Sequence, residues 1–371
     1  MPLIYCCIFL FILYALLITY FTLAWQAIPV FQPQPAAPLK LSVVVPARNE
    51  EKHIGALLKA LQQQTHPASH TEIIVVDDES TDDTAAIIKS FTDVKYIRVQ
   101  HQQQGPAYKK RALTAGIKAA TSDHIVCTDA DCIPGPEWLS SFSSCIQRYD
   151  PAFIAAPVRF SDDHSLLGIF QSLDFMILQG ITGAAVHKGS LAMSNGANLA
   201  YSKKAFEAVD GFNGIDHIAS GDDMLLMQKM KMKFPGRIQY LRSEASVTET
   251  EPMQNWRAFF DQRIRWASKA SVYSDARIKA VLMLVYLFNL SFVVLAVTAI
   301  INPAYARWLA GCWIAKTIVE FPFMIAVSRF FHRTRLLKYF FFFQPLHILY
   351  TVLSGTFSQF GQYEWKGRRV R

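Results

Sequence analysis

Residues 124–135 read HIVCTDADCIPG, an apolar run of strand length that ends on two aspartates one residue apart, with a Pro-Gly turn just beyond. In an extended segment alternate side chains share a face, so Asp129 and Asp131 are expected side by side with Ala130 turned away. Two carboxylates on one side repel unless a cation sits between them. Taken alone, a D-x-D is more often a polar turn, because aspartate is common where a strand stops. The surrounding chain has to decide.

Upstream, the same design repeats. LSVVVPA (41–47) is an apolar strand, and in RNEEKHIGALLKALQQQ (48–64) Ile54, Leu57, Leu58 and Leu61 recur at helical spacing. TEIIVVDD (71–78) is a second strand, followed by the capped helix STDDTAAIIKSF (80–91) and a third strand, VKYIRVQ (94–100). GPAYKKRALTAGIKAAT (105–121) is a further helix, which leads into the D-x-D strand. Strands that are apolar throughout and alternate with helices predict an α/β fold with a doubly wound, mostly parallel sheet covered on both faces. Ligands of such sheets bind at the carboxyl ends of the strands. That rule gathers Asn49 and Glu50, then Asp77 and Asp78, then Asp129 and Asp131 at one edge. An acidic edge suits a metal together with an anionic ligand. No G-x-G-x-x-G follows the first strand, which counts against a dinucleotide cofactor.

The 371 residues are 51% hydrophobic and carry a formal net charge of +8. The apolar excess is concentrated. LIYCCIFLFILYALLITYFTLAW (3–25) has no charge over a length that can cross a bilayer, and it lacks the basic start and the cleavage site of a signal peptide. Further apolar segments cover about 280–301, 306–327 and 339–358. The expected organisation is an anchor (1–27), a proline-containing linker (28–39) and a globular domain (40–250). An amphipathic interfacial region (251–279), C-terminal membrane segments (280–358) and a basic tail (359–371) follow. Met1 to Leu39 contains no Lys or Arg, whereas Arg257, Arg263, Arg265, Lys269, Arg277 and Lys279 crowd the second membrane segment. That asymmetry places the globular domain on the cytoplasmic side of the plasma (inner) membrane. Gln344, Pro345, His347 and Gly355 make the last apolar segment a candidate re-entrant or interfacial element. Much of the basic excess lies beside membrane segments, so anionic lipid is the expected partner rather than nucleic acid. The six cysteines show no metal spacing and require no disulfide framework.

The ordered set VVVPARNEEKHI, EIIVVDDESTDDT, GPAYKKRAL, TDADC, GANLAYSKKAFEAVDGF, GDDMLL and QRIRW resembles the family 2 glycosyltransferases with the A-type nucleotide-sugar fold. The membrane segments resemble the branch that includes hyaluronan, cellulose and poly-N-acetylglucosamine synthases and ceramide glucosyltransferases. The resemblance implies Mg or Mn held against a diphosphate by Asp131, with Asp129 directly or through water. It also implies that Asp77 or Asp78 contacts the nucleotide while Ala47, Asn49 and Glu50 line the base and ribose site. Asn198 is implied as a donor-sugar contact. Lys109, near a helix start, would assist the phosphates; its plainer reading is a solvated charge in a Lys-Lys-Arg run. In the pair Asp222 and Asp223, the second acid is the implied general base, and helix capping is the plainer role. Gln262, Arg265 and Trp266 match Q-x-x-R-W and would act on the diphosphate and the acceptor sugar, on a helix that also reads as lying at a membrane surface.

Two departures limit the carry-over: Thr114 stands where the family often has Asn, and the membrane portion is short for a polymer channel. The expectation is therefore an inverting transferase that uses a nucleotide diphosphate sugar, a UDP-sugar by preference, with a lipid or lipid-linked acceptor. A processive polysaccharide synthase, working with an export partner or as an oligomer, is the alternative, and a non-catalytic membrane scaffold with this fold is the second.

Overall fold

The computed structural model describes residues 2–34, 37–100, 107–218, 220–269, 273, 275–359, 363–365 and 368–370. In chain order the elements are α1 (Pro2–Ala27), β1 (Leu41–Ala47), α2 (Ile54–Gln62), β2 (Thr71–Asp77), α3 (Thr84–Lys89), β3 (Val94–Arg98), α4 (Tyr108–Ala119) and β4 (His124–Cys127). They continue with β5 (Cys132–Pro134), α5 (Trp138–Tyr149), β6 (Phe153–Ala155), β7 (Val158–Phe160), α6 (Leu166–His187), β8 (Leu199–Ser202), α7 (Lys203–Ala208), α8 (Met224–Lys233), β9 (Ile238–Tyr240) and β10 (Thr248–Thr250). The last helices are α9 (Trp256–Ser268), α10 (Ala276–Ile301), α11 (Ala306–Phe330) and α12 (Leu337–Phe357).

The chain divides into two compact units. One comprises residues 28–161, 185–251 and 364–371; the other comprises 1–27, 162–184 and 252–363. The first holds a seven-stranded sheet in the order β3-β2-β1-β4-β8-β6-β9. β1, β2, β3 and β4 pair in parallel, whereas β8 runs antiparallel to both β4 and β6. A small second sheet, β5-β10-β7, stands beside it. The predicted doubly wound, mostly parallel sheet is thus present. Val43, Val44, Val45, Val75 and Val76 are fully buried, as strands covered on both faces require. The predicted apolar face of α2 (Ile54, Leu57, Leu58, Leu61) packs into the core with Trp138 and Phe142 of α5. Register puts Ala47 opposite Asp77, so the carboxyl ends of β1 and β2 are level.

The other unit is helical. Among the described residues, five helices are long and apolar enough to cross a membrane: α1, α6, α10, α11 with its preceding turn, and α12 with its preceding turn. Four correspond to the predicted segments. α6 was not expected: it lies inside the stretch assigned to the globular domain, and most of its apolar window is buried within the protein. Its residues 162–184 group with the helical unit, so the globular domain is interrupted rather than continuous over 40–250. α12 is one unbroken helix that contains Pro345, of a length that can span.

Polar side chains tie this unit together. Within it Tyr14 donates to Glu320, the Lys316 ammonium donates to Glu320 (2.7 Å) and Gln344 (2.5 Å), and Gln344 donates back to Glu320 (2.6 Å). Every member is buried and partnered, as polar groups among apolar helices must be. Tyr14 also stacks on Phe288, with ring centroids 4.3 Å apart.

Candidate active site

The sheet edge is built by backbone before side chains. The Asp78 N–H donates to the Ala47 carbonyl (2.8 Å), and the Arg48 guanidinium bonds the Asp78 and Glu79 carbonyls (2.6 and 3.1 Å). Asn49 and Glu79 both adopt left-handed backbone conformations (φ 53° and 56°), so the chain turns sharply after each of the two strands. Asn49 locks these turns to one another: its N–H donates to Ser80 Oγ (3.0 Å) and its Oδ1 accepts from the Thr81 N–H (2.9 Å). The Glu50 N–H donates to Thr84 Oγ1 (2.7 Å). Of the two aspartates ending β2, Asp77 is fully buried and accepts from the Ser80 N–H (2.9 Å) and the Tyr96 hydroxyl (2.8 Å). Burial and that carboxylate push the Tyr96 hydroxyl up to about 12. Both Asp77 oxygens are engaged inside the fold, and Asp78 is buried as well.

The D-x-D departs from the extended geometry expected of it. β4 ends at Cys127, and Ala130 and Asp131 form a turn into β5. A lysine stands between the first of these acids and an acid from another motif. Lys109, the second residue of α4, places its ammonium 2.7 Å from Asp129 and 3.1 Å from Asp222, joining the acid ends of two motifs more than ninety residues apart. Its side chain is 20% exposed, which excludes the solvated reading. Burial alone would lower its pKa, but the two carboxylates, with Asp223 further off, hold it well above the ordinary lysine value. Asp131 is half-buried, and its carboxylate accepts from the Cys132 thiol (3.6 Å).

The second acid pair is set by glycines. Gly221 has φ +80°, a conformation that L side chains rarely adopt, and it turns the chain into Asp222 and Asp223 at the start of α8. Asp223 caps α8, accepting from the Met224 N–H (2.7 Å) and, through its other oxygen, from the Gly196 N–H (3.1 Å). A Cβ on Gly196 would stand 3.0 Å from the Lys109 ammonium and 3.2 Å from Asp222, so this glycine lets the backbone approach the cluster.

Lys109, Asp129, Asp222, Asp223 and the Gly196 amide therefore converge. Gly196 had a signal, since it opens the GANLAY motif, but that motif was read for Asn198. Asn198 needs correction. It is fully buried, its Oδ1 accepts from Trp138 Nε1 (2.9 Å), and its amide donates to the Pro157 and Ser246 carbonyls (2.7 Å each). Asn198 fastens α5 to the sheet and presents nothing to a sugar. Thr114, the departure noted above, bonds back to the Lys110 carbonyl within α4 (2.8 Å).

Gln262, Arg265 and Trp266 lie on α9, in the helical unit. The residue between them organises that helix. Arg263 is buried and holds Asp174 of α6 with two nitrogens (3.0 and 2.7 Å), and Tyr350 donates to the same carboxylate. The Arg263 guanidinium also lies 4.3 Å from the Trp266 ring and bonds Gln262 Oε1 (2.6 Å).

Among the described residues no three His, Cys, Asp or Glu side chains gather into a ready-made metal cage. Asp129 and Asp131 fit an ion that takes one or two protein carboxylates and completes its shell from water and phosphate.

Residues 42–210 match the model of glycosyl transferase family 2. Over that stretch, a little under half of the chain, the sequence is similar to that family. Among curated proteins, the chain is 26% identical over 237 residues to a probable glycosyltransferase of Bacillus subtilis, YdaM, covering 62% of this chain and 54% of that one. It is 38% identical over 92 residues to 4,4'-diaponeurosporenoate glycosyltransferase of Staphylococcus aureus, 24% of each chain. The chain thus spans about half the length of the Bacillus relative, and much less of the staphylococcal one. Among solved structures, the mannosyltransferase PcManGT of Pyrobaculum calidifontis, in complex with GDP-mannose and Mn2+, superposes with a TM-score of 0.57 at 17% identity over 97% of both chains. That likeness carries the fold.

Proposed function

We propose that the protein is an inverting, membrane-bound glycosyltransferase that moves a sugar from a nucleotide diphosphate sugar to a lipid or lipid-linked acceptor at the cytoplasmic face of the membrane. The observation that carries the proposal is the convergence of the D-x-D and the Asp222-Asp223 pair on Lys109 and Gly196. On this reading the Asp129 side would serve the diphosphate and the Asp222-Asp223 side the acceptor; Asp129 lies inside the stretch similar to family 2 glycosyltransferases and the acid pair lies beyond it.

In a single displacement the acceptor hydroxyl oxygen bonds to the anomeric carbon as the bond to the diphosphate breaks. The acceptor proton has to go to a base, and the diphosphate leaves with the bonding electrons. Asp223 suits the base better than Asp222. Asp222 faces the Lys109 ammonium at 3.1 Å, whereas Asp223 is oriented by backbone N–H groups on both oxygens. Asp129 and Asp131 would hold Mg or Mn, which when bound supplies Lewis-acid stabilisation of the leaving diphosphate. Lys109 holds its charge beside the same phosphates. Asp78, Asn49, Glu50 and Ala47 form the nucleotide side, and Gln262, Arg265 and Trp266 are assigned to the diphosphate and acceptor. Five apolar helices among the described residues, and the 4,4'-diaponeurosporenoate in the name of the staphylococcal relative, favour a lipid acceptor.

The test is nucleotide diphosphate release by the detergent-purified full chain, from a panel of UDP- and GDP-sugars, with membrane lipid extract and Mn or Mg. Release from one donor, abolished by Asp131→Ala and by Asp223→Ala, is the expected result, with the labelled product extracting as lipid. A polymeric product would instead establish the processive alternative. Release that survives both substitutions would overturn the site.

A further inference from the structure

Lys110, beside Lys109, faces a different partner. It is 1% exposed, and its ammonium donates to three backbone carbonyls, those of Ile215 (2.7 Å), Ile218 (2.6 Å) and Ser220 (2.9 Å). An ammonium has three protons, and each of these carbonyls can take one. The carbonyls belong to a segment of turns and bends between Gly211 and Ser220 that has no helix or strand among its described residues. This segment runs directly into Gly221, Asp222 and Asp223. Its opposite end is held in the same manner, for Lys229 of α8 donates to the Gly211 and Asn213 carbonyls (2.7 Å each).

We infer that Lys110 is a positioning residue for the acid pair. Through its three carbonyls it fixes the approach of the chain to Gly221, and so fixes where Asp222 meets Lys109 and Asp223 meets the Gly196 amide. A segment without regular structure offers its carbonyls few internal donors; of the three, the Ile215 carbonyl also accepts from the Ile218 N–H (3.3 Å). The Lys110 ammonium is the donor common to all three. Successive helical residues point about 100° apart, so the start of α4 grips the carboxylate with one lysine and the backbone leading to it with the next. The turns after β1 and β2 are held by bonds of their own, and the D-x-D meets this segment only through Lys109. Loss of Lys110 is therefore a defect first of the acceptor-activating end.

The inference rests on the transferase reading, and its test separates the two. Lys110→Met keeps the length of the side chain and removes the donors; Lys110→Arg keeps the charge but replaces a point of three donors with a planar fork. In the full-length protein, Lys110→Met is expected to lower kcat at least tenfold with donor KM within about twofold of wild type, and Lys110→Arg to fall between. Hydrogen exchange of the 211–220 amides is expected to quicken in Lys110→Met, with nucleotide binding retained as the sign of a folded protein. Lys229→Met, acting at the far end, is expected to quicken exchange near 211–213 with a smaller effect on kcat. Faster exchange with unchanged kcat would overturn the positioning role. Unchanged exchange in Lys110→Met would overturn the clamp itself, and this readout stands whether or not transfer is detected. Equal losses in kcat and nucleotide binding would also overturn the inference, because they would mark Lys110 as general scaffolding.

Discussion

Replacing Lys109 with methionine sets two opposed effects against each other, and their signs can be worked out beforehand. The Lys109 ammonium lies 2.7 Å from Asp129 and 3.1 Å from Asp222, beside the acids assigned to metal and acceptor. A divalent ion binding Asp129 has to displace this ammonium or bear its repulsion. At about 3 Å two unit charges interact by roughly 5.5 kcal/mol at an effective dielectric of about 20 and by roughly 1.4 kcal/mol at that of water. Asp129 is 33% exposed, which argues for the lower part of that range. Even the lower bound is about tenfold in a binding constant.

Lys109→Met is therefore expected to bind Mn2+ about ten times more tightly than wild type in the absence of any nucleotide, read from the electron paramagnetic resonance signal of free Mn2+ during titration. Asp131→Ala should lose the site. With a nucleotide diphosphate present the sign reverses, because the ammonium then serves the phosphates and its loss weakens nucleotide binding. Unchanged or weaker Mn2+ binding by Lys109→Met in the nucleotide-free protein would refute the competition. Absence of Mn2+ binding by both proteins, with nucleotide or without, would refute the metal site.

Three other outcomes are expected. Asp223→Asn should lower kcat by about 10²- to 10⁴-fold, the range for loss of a general base, with donor KM little changed, checked by nucleotide diphosphate release; an equal loss in Asp222→Asn alone would move the base to Asp222. Arg263→Met leaves Asp174 buried without its cation, and removing one partner of so buried a pair costs about 3–5 kcal/mol, visible as a lowered unfolding temperature in detergent. Burial would raise the Glu72 carboxyl, but hydrogen bonds from Ser42 and Thr121 and the Lys95 ammonium bring it below its ordinary value. Its contribution to stability is therefore present above the ordinary glutamate range and lost as pH falls through the lowered value. Glu72→Gln should flatten the acid limb of a stability-against-pH curve and leave the neutral region nearly parallel to wild type.

The parallel half of the sheet is legible in the chain because its strands are uninterrupted apolar runs with helical periodicity between them, a pattern that buried parallel strands impose on sequence. β6 and β9, with three residues each, and β8, with four, carry too little pattern to be read, and their pairing depends on partners far along the chain. α6 escapes for the opposite reason. Its apolar run is broken by Gln171, Asp174 and Gln179, which look like the polar face of a soluble segment. Asp174 in fact meets Arg263, and Gln171 bonds the Met253 backbone, both more than eighty residues away.

The same limit governs the site. The acids were legible as a set at one sheet edge, because topology alone brings strand ends together. Their pairing with Lys109 was not: the resemblance gave that lysine to the phosphates, and a lysine in Lys-Lys-Arg otherwise has the composition of a solvated face. What distinguishes Lys109 and Lys110 from solvated charges is the loop between α7 and α8, which offers one of them a carboxylate and the other three carbonyls. Burial of an ammonium is tolerable only with such partners. A motif can thus show that a residue is required without showing for what: Asn198 and Gly196 sit two positions apart in GANLAY, yet one is sealed under α5 and the other presents its amide to the acid taken as the base.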